Sequence, residues 1–88
     1  MLFVTIFRFP PEKRQAVVER FMKTGGMPPP GVKLLGRWHD LGGGRGFTVS
    51  ESDDPVAAGK YFYDWTDLMT FETVPVSNDE QLAKILAG

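Results

Sequence analysis

Residues 2–7 of the chain are LFVTIF, and this stretch constrains the arrangement of everything that follows. Its side chains are β-branched, aromatic or leucine, and Thr5 is the single polar residue among them. A short apolar run of this composition is typical of a strand buried on both faces. We therefore expect residues 2–7 to form a central strand of a sheet.

The segments after this strand alternate between helical and strand patterns. A helix is predicted between residues 10 and 26, opened by two prolines and ended by two glycines. A second helix follows residues 52–55 (SDDP), which supply an N-cap and a proline at the first helical position. Ser77 and Glu80 form a predicted capping box before a short C-terminal helix. The further predicted strands are residues 32–40, 46–51 and 68–76.

The resulting order is β-α-β-β-α-β plus a short helix, the split βαβ arrangement of ferredoxin-like α+β domains. In this topology the first and third strands are central and the other two are edges. Pro75 suits an edge strand because proline has no N–H for a ladder. Both helices cover the same face of the sheet. Since the first strand is apolar on both sides, we expect a second copy of the chain to cover the other face as a homodimer.

Composition bounds the remaining possibilities. The chain has 88 residues, 42% of them hydrophobic, so one domain over residues 1–88 is expected. With no cysteine and one histidine, we expect no disulfide, thiol nucleophile, metal site or cofactor. No window approaches the run of about 18 apolar residues that a membrane span needs, and a cytoplasmic location is expected. The net charge of −1 argues against nucleic acid and anionic membranes as partners.

The predicted hairpin between residues 32 and 51 carries the candidate site. If Asp40 lies opposite Gly46, one face holds Arg37, His39 and Glu51 among apolar side chains. An apolar surface with a few convergent polar groups is typical of a small-molecule site. The predicted substrate-binding residues on the hairpin and the second helix are Trp38, Phe47, Glu51, Tyr61 and Trp65.

His39 and Arg37 are the candidate catalytic residues. Histidine is the side-chain type that titrates near neutral pH, so His39, the only one, suits a general base. Arg37 suits the stabilisation of a developing oxyanion. The competing interpretations are a solvated structural histidine and a cross-strand ion pair between Arg37 and Glu51.

Two further motifs each have two interpretations. Tyr61 and Trp65 are four residues apart, so on a helix they share a face, and they either pack in the core or wall a cavity. Residues 42–46 (GGGRG) resemble a phosphate-binding loop. They join two strands instead of opening a helix, so a flexible hairpin turn is the expected structure.

An RNA-recognition module has the same order of elements, and residues 2–5 and 45–47 begin like its strand motifs. Val49 and Glu51, however, stand where that module has stacking aromatics, and the chain is acidic overall. RNA binding is therefore the least favoured function. A non-catalytic interaction or scaffold module is the other alternative.

The motifs PPG, GRW, GGGRGF, SE and DWTDLMTF, at residues 29–31, 36–38, 42–47, 50–51 and 64–71, resemble the dimeric α+β barrel superfamily. Within it they are similar to a short bacterial family labelled only as a domain of unknown function. The resemblance implies a homodimer whose two sheets face each other, with a cavity in each protomer. Relatives use that cavity for ligand binding, isomerisation, cofactor-free oxygenation or haem. No catalytic motif of those relatives is present, so the expected function is binding a small, partly apolar molecule, with or without chemistry on it.

Overall fold

The computed structural model describes residues 1–88 as a four-stranded antiparallel sheet with two helices against one face. A single 3₁₀ turn, Pro11–Lys13, precedes the first helix. The ferredoxin-like α+β class predicted from the sequence is confirmed. The elements are β1 (Leu2–Arg8), α1 (Arg14–Thr24), β2 (Lys33–His39), β3 (Arg45–Glu51), α2 (Pro55–Tyr63), β4 (Thr70–Val76) and α3 (Asp79–Leu86).

The strand order is β2-β3-β1-β4, with β1 antiparallel to both β3 and β4. The central position predicted for the first strand is therefore confirmed. Pro75 lies in β4 at the edge of the sheet, where its missing N–H costs no ladder hydrogen bond.

The two faces of the sheet have different surroundings. On the face toward α1 and α2, which we call the cavity face, Thr5, Phe7 and Thr48 are only 1%, 8% and 6% exposed. Their neighbours along each strand point to the opposite side, which we call the open face, because side chains alternate along a strand. Val4 and Val49 are paired there and remain half-buried. In the single chain, β1 is thus fully covered on one face only.

The hairpin register predicted from the sequence is wrong by one residue. His39 lies opposite Gly46 and not opposite Phe47. The physical reason is that the N–H of Asp40 donates to the Arg45 carbonyl at 2.9 Å, which closes the hairpin one residue earlier than expected. A one-residue shift exchanges the two faces of a strand. The side chain of Phe47 is therefore on the open face.

A second irregularity lies farther along the same pair of strands. The register shifts between Leu34 and Gly36, so Leu35 forms a bulge, and Lys33 lies opposite Glu51. A bulge places two residues of one strand against one of its partner. Glu51 is on the open face as well, because side chains alternate along β3 and Glu51 is four residues from Phe47. The sequence pattern gave no sign of the bulge.

The turn of the hairpin holds its own acidic side chain. Asp40 Oδ1 accepts from the Gly42 N–H at 2.8 Å, and Asp40 Oδ2 forms a 3.0 Å ion pair with Arg45. These two donors, the Gly42 N–H first, hold the pKa of Asp40 below its usual value. Gly43 and Gly44 have positive φ, as a tight hairpin turn requires. A carboxylate already occupies these donors, so the structure favours the hairpin-turn interpretation of residues 42–46.

The helix ends follow local side-chain chemistry. Asp54 caps α2 by accepting from the N–H groups of Val56 and Ala57 at 3.0 and 3.2 Å, and Pro55 follows at the first helical position. The predicted cap of α3 was one residue early. Asn78, with Gln81 and not Ser77 with Glu80, forms the capping box.

The C-terminal helix α3 extends away from the rest of the chain. All its residues are exposed, including the apolar Leu82, Ile85 and Leu86 at 44%, 65% and 77%. The molecule accordingly measures 49 Å along its longest axis against 28 and 17 Å along the other two. An isolated helix of this length is marginal in water, and most helical stability comes from packing an apolar face. None of the helices has the length and apolarity needed to cross a membrane.

Candidate functional site

A cavity of about 230 Å³ lies between the cavity face of the sheet, the helices α1 and α2, and the turn that follows α2. Fifteen residues line it, and ten of these are hydrophobic. A mostly apolar concave site with a few polar groups is the usual form of a small-molecule site. The phenylalanine, tyrosine and tryptophan residues in the lining are Phe7, Phe9, Phe21, Tyr61, Phe62, Trp65 and Phe71.

Cross-strand neighbours form the polar part of the cavity floor. Arg37 of β2 lies opposite Thr48 of β3, Thr48 lies opposite Thr5 of β1, and Thr5 lies opposite Thr73 of β4. The hydroxyls of Thr5 and Thr73 hydrogen-bond each other at 3.0 Å. The hydroxyl of Thr48 makes no hydrogen bond within the chain. The floor therefore carries one satisfied hydroxyl pair and one unused hydroxyl.

The neighbouring row of the floor is aromatic. Phe7 lies opposite Gly46, and a Cβ atom at Gly46 would overlap the Phe7 ring. The missing side chain lets the ring lie over the β3 backbone toward His39, whose ring it meets edge-on at 6.1 Å between centroids. Gly46 thus shapes the cavity although it has no side chain.

Arg37 ties three elements together at one end of the cavity. Its Nη1 donates to the Gly25 carbonyl at 3.3 Å, and its Nη2 donates to the Gly26 carbonyl and to Tyr61 Oη, the latter at 3.2 Å. The Tyr61 hydroxyl in turn donates to the Gly26 carbonyl at 2.8 Å. The guanidinium also lies 5.0 Å from the centroid of the Phe21 ring. The orphan carbonyls at the end of α1 are satisfied in this way.

This geometry bears on one of the alternatives raised for Arg37. The ion pair with Glu51 is absent, because Glu51 lies on the open face opposite Lys33. Arg37 instead bonds to three neutral groups of Gly25, Gly26 and Tyr61 at the cavity wall. Only two of its five N–H groups stay free of these bonds.

His39 lies at the mouth of the cavity. Its side chain is exposed, and its ring packs edge-on against Phe7 and, at 5.9 Å, against Phe21. Neither ring nitrogen has a hydrogen-bond partner in the chain. A catalytic histidine is usually oriented by a third group. The ring of His39 is instead in contact with two phenylalanine rings.

The wall formed by Trp65 is held by a salt bridge on the outside. Trp65 lies beyond the end of α2, in the turn that leads to β4, and is half-buried. Arg20 of α1 binds Asp67 of this turn with two bonds, 2.8 and 2.7 Å long, and donates to the Asp64 carbonyl at 2.8 Å. Its guanidinium also lies 5.3 Å from the Trp65 ring centroid.

Arg20 and Asp67 stabilise each other's charged form. The hydrogen bonds from Arg20 hold the pKa of Asp67 below its usual value, and the same bonds raise the pKa of Arg20. The salt bridge therefore fixes the turn that carries Trp65 against α1.

The structure brings together only part of the predicted site. Four of the seven predicted residues line the cavity, and these are Arg37, His39, Tyr61 and Trp65. Phe47 and Glu51 are absent from the lining because of the register shift. Trp38 is absent because it lies between Arg37 and His39 in β2, so its side chain points to the opposite face. Trp38 lies against Gly36 on the open face and is 57% exposed.

Several lining residues were not predicted from the sequence. Phe21 of α1, Phe62 of α2 and Phe71 of β4 form walls, with Phe62 and Phe71 5.3 Å apart between centroids. Thr48 supplies the free hydroxyl of the floor. A usable signal was the glycine at position 46, since a glycine within a strand often marks a close approach by another group.

The fold is similar to that of a solved structure. Rv0793 from Mycobacterium tuberculosis matches at a TM-score of 0.51 and 15% identity, over 90% of this chain and 99% of that chain. This similarity supports the fold alone. A candidate antibiotic biosynthesis monooxygenase from Deinococcus radiodurans matches at a TM-score of 0.44 and 14% identity, over 89% of this chain and 94% of that chain.

No curated protein is significantly similar in sequence. A family described as "Domain of unknown function (DUF3303)" matches residues 1–88. This agrees with the resemblance of the sequence motifs to a family labelled only as a domain of unknown function. The chain belongs to the DUF3303 family.

Proposed function

We propose that this protein binds a small, mostly apolar molecule in the cavity between the sheet and the helices. The observation that carries the proposal is an open cavity of about 230 Å³, lined by seven aromatic side chains, in a chain of only 88 residues. Protein interiors are otherwise packed to nearly crystalline density. A space of this size with apolar walls is favourable when an apolar ligand fills it.

The proposal includes a homodimer formed through the open face. Val74 of β4 and Trp38 of β2 are 48% and 57% exposed on that side of the sheet. The apolar residues of α3, which follows directly on β4, are also uncovered. Exposed apolar surface of this extent favours association, and most homo-oligomers are two-fold dimers. The second copy would leave the cavity accessible, because the cavity lies on the other face of the sheet.

The proposal keeps a catalytic role for His39 but not for Arg37. The cavity lining has three titratable side chains, and two of them, Arg37 and Tyr61, are bound to each other and to Gly26. His39 alone presents unbonded nitrogens at the mouth. Proton transfer on a bound ligand is therefore assigned to His39, and Arg37 is assigned to positioning the wall.

The test is a ligand titration with naphthalene, followed by ¹H–¹⁵N NMR spectra of the purified chain, together with a native mass spectrum. We expect shift changes confined to residues of the cavity lining and a dimeric mass. Val17→Phe places a ring into the cavity from α1, where Val17 is 6% exposed, and abolishes the response. Val56→Phe is the matched control, since Val56 is 64% exposed on α2 and does not line the cavity.

Two results would overturn the proposal. Naphthalene shifts that are equal in the parent chain and in folded Val17→Phe place binding outside the cavity. A chain that shows no naphthalene response up to the solubility limit has no accessible apolar site. A monomeric mass would contradict the proposed dimer. The proposed binding site would then depend on the titration alone.

A further inference from the structure

The hydroxyl of Thr48 is an unused polar group on the cavity floor. Thr48 is 6% exposed and lines the cavity, yet its hydroxyl has no hydrogen-bond partner. The adjacent Thr5 hydroxyl is satisfied by Thr73 at 3.0 Å. No fully enclosed side-chain oxygen or nitrogen in the chain lacks a partner, so the Thr48 hydroxyl keeps some accessible surface, and Thr48 is among the residues that line the cavity.

An unpaired hydroxyl in apolar surroundings is unfavourable, and nearly all such groups in proteins have a partner. The aromatic rings around Thr48 provide none. A bound molecule that presents a hydrogen-bonding atom at the floor supplies the missing partner. The hydroxyl both donates and accepts, so either a hydroxyl or a carbonyl oxygen of the ligand fits.

The aromatic walls and the volume of the cavity determine the shape and size of the ligand. Seven aromatic side chains line the space, and flat rings stack well against such walls. At the interior packing density of about 0.74, the cavity holds roughly 170 Å³ of ligand atoms. Two or three fused rings fill this volume.

We propose that Thr48 is the polar anchor of the site, and that the ligand is a fused aromatic molecule whose hydroxyl or carbonyl oxygen hydrogen-bonds to Thr48. This inference rests on the proposed binding function and names the ligand class for it. It also makes Thr48 the residue that determines which aromatic molecules are selected.

The test compares 2-naphthol with naphthalene on three chains, which are the parent, Thr48→Val and Thr48→Ser. In the parent we expect 2-naphthol to bind more tightly than naphthalene by roughly 2- to 10-fold, the effect of one net hydrogen bond. Thr48→Val keeps the shape but not the hydroxyl, so both molecules should bind it equally. Thr48→Ser keeps the hydroxyl and should keep the preference.

A preference for 2-naphthol that persists in Thr48→Val overturns the inference, as does equal binding of both molecules by the parent. In either case naphthalene binding upholds the proposed function by itself. If Thr48→Val does not fold, nuclear Overhauser contacts in the parent decide. The carbon-bound proton next to the 2-naphthol hydroxyl should show a contact with the Thr48 methyl group if Thr48 is the polar anchor. Contacts only at the cavity mouth contradict the inference. Failure of both molecules to bind the parent overturns both proposals.

Discussion

The ring of Phe7 in β1 lies across the bare backbone of Gly46 in β3, and the two residues are directly paired in the sheet. Phe7 is 8% exposed and Gly46 is buried, so this contact is part of the cavity floor and of the small core at once. The shape of the cavity therefore depends on a position that contributes no atoms to its surface.

Gly46→Ala tests this dependence. The new methyl group overlaps the Phe7 ring, which must rotate into the cavity or push the strands apart. We expect a loss of about 1–3 kcal/mol in the free energy of unfolding, the usual cost of overpacking. Urea denaturation measures it. Gly59→Ala is the control, because a Cβ at Gly59 in α2 meets no atom within 4 Å. That change should raise stability by about 0.5–1 kcal/mol. If Gly59→Ala is destabilised as well, the effect of Gly46→Ala cannot be attributed to its contact with Phe7.

Arg37→Met tests the structural role of this residue. The substitution leaves the Gly25 and Gly26 carbonyls without their donor, and Tyr61 loses one of its partners. We expect a loss of about 1.5–3 kcal/mol in the free energy of unfolding, the range for hydrogen bonds from a charged group. His39→Gln, at an exposed position, should change stability by less than about 0.5 kcal/mol. Equal stability of the parent and Arg37→Met would contradict the structural assignment.

The salt bridge between Arg20 and Asp67 predicts a pH dependence of stability. Arg20 holds the pKa of Asp67 below its ordinary value of 3.8. Because the folded-state pKa is the lower one, the pair stabilises the fold above about pH 4, and this contribution is lost as the pH falls through the folded-state pKa. Asp67→Asn should therefore lower the Tm at neutral pH. The difference in Tm between parent and variant should shrink in acid, and scanning calorimetry at a series of pH values measures it. A difference that is constant down to about pH 2 would contradict the prediction.

The uncovered face of α3 predicts a sensitive position in the proposed dimer. Ile85→Asp places a charge on the apolar stripe, and the parent side chain there is 65% exposed in the single chain. A symmetric dimer contains the change twice, so the dimer dissociation constant should rise by about 100-fold. Lys84→Ala, on the opposite side of the helix, is the control and should have little effect. Sedimentation equilibrium measures both constants. An unchanged constant for Ile85→Asp would mean that α3 lies outside the dimer contact.

The order of strands and the sheet edges were predictable because they follow from composition. A strand at residues 2–7 with a single polar residue favours a central position, and a proline such as Pro75 favours an edge. The cap and proline at Asp54 and Pro55 gave the start of α2 correctly. These features depend on neighbouring residues in the sequence, so local chemistry is sufficient to predict them.

The composition of the site was less predictable because it depends on register. Closure of the hairpin by Asp40 and Arg45 and the bulge at Leu35 together decide which side chains face the helices. Neither leaves a clear pattern in the sequence, and a one-residue error exchanges the two faces. For that reason the sequence places Phe47 and Glu51 in the site. It misses Thr48, which follows Phe47 and points to the opposite, cavity face.

The central position of β1 also bears on how the chain is made. β1 leaves the ribosome before the other strands of the sheet, and its partners β3 and β4 span residues 45–51 and 70–76. Contacts between segments so distant in the chain slow folding, since a long loop must close before they form. The hairpin of β2 and β3 is local, so it is the natural first structure. The sheet itself is complete only after Val76 has been synthesised, and until then the apolar surface of β1 is exposed to chaperones and to other nascent chains.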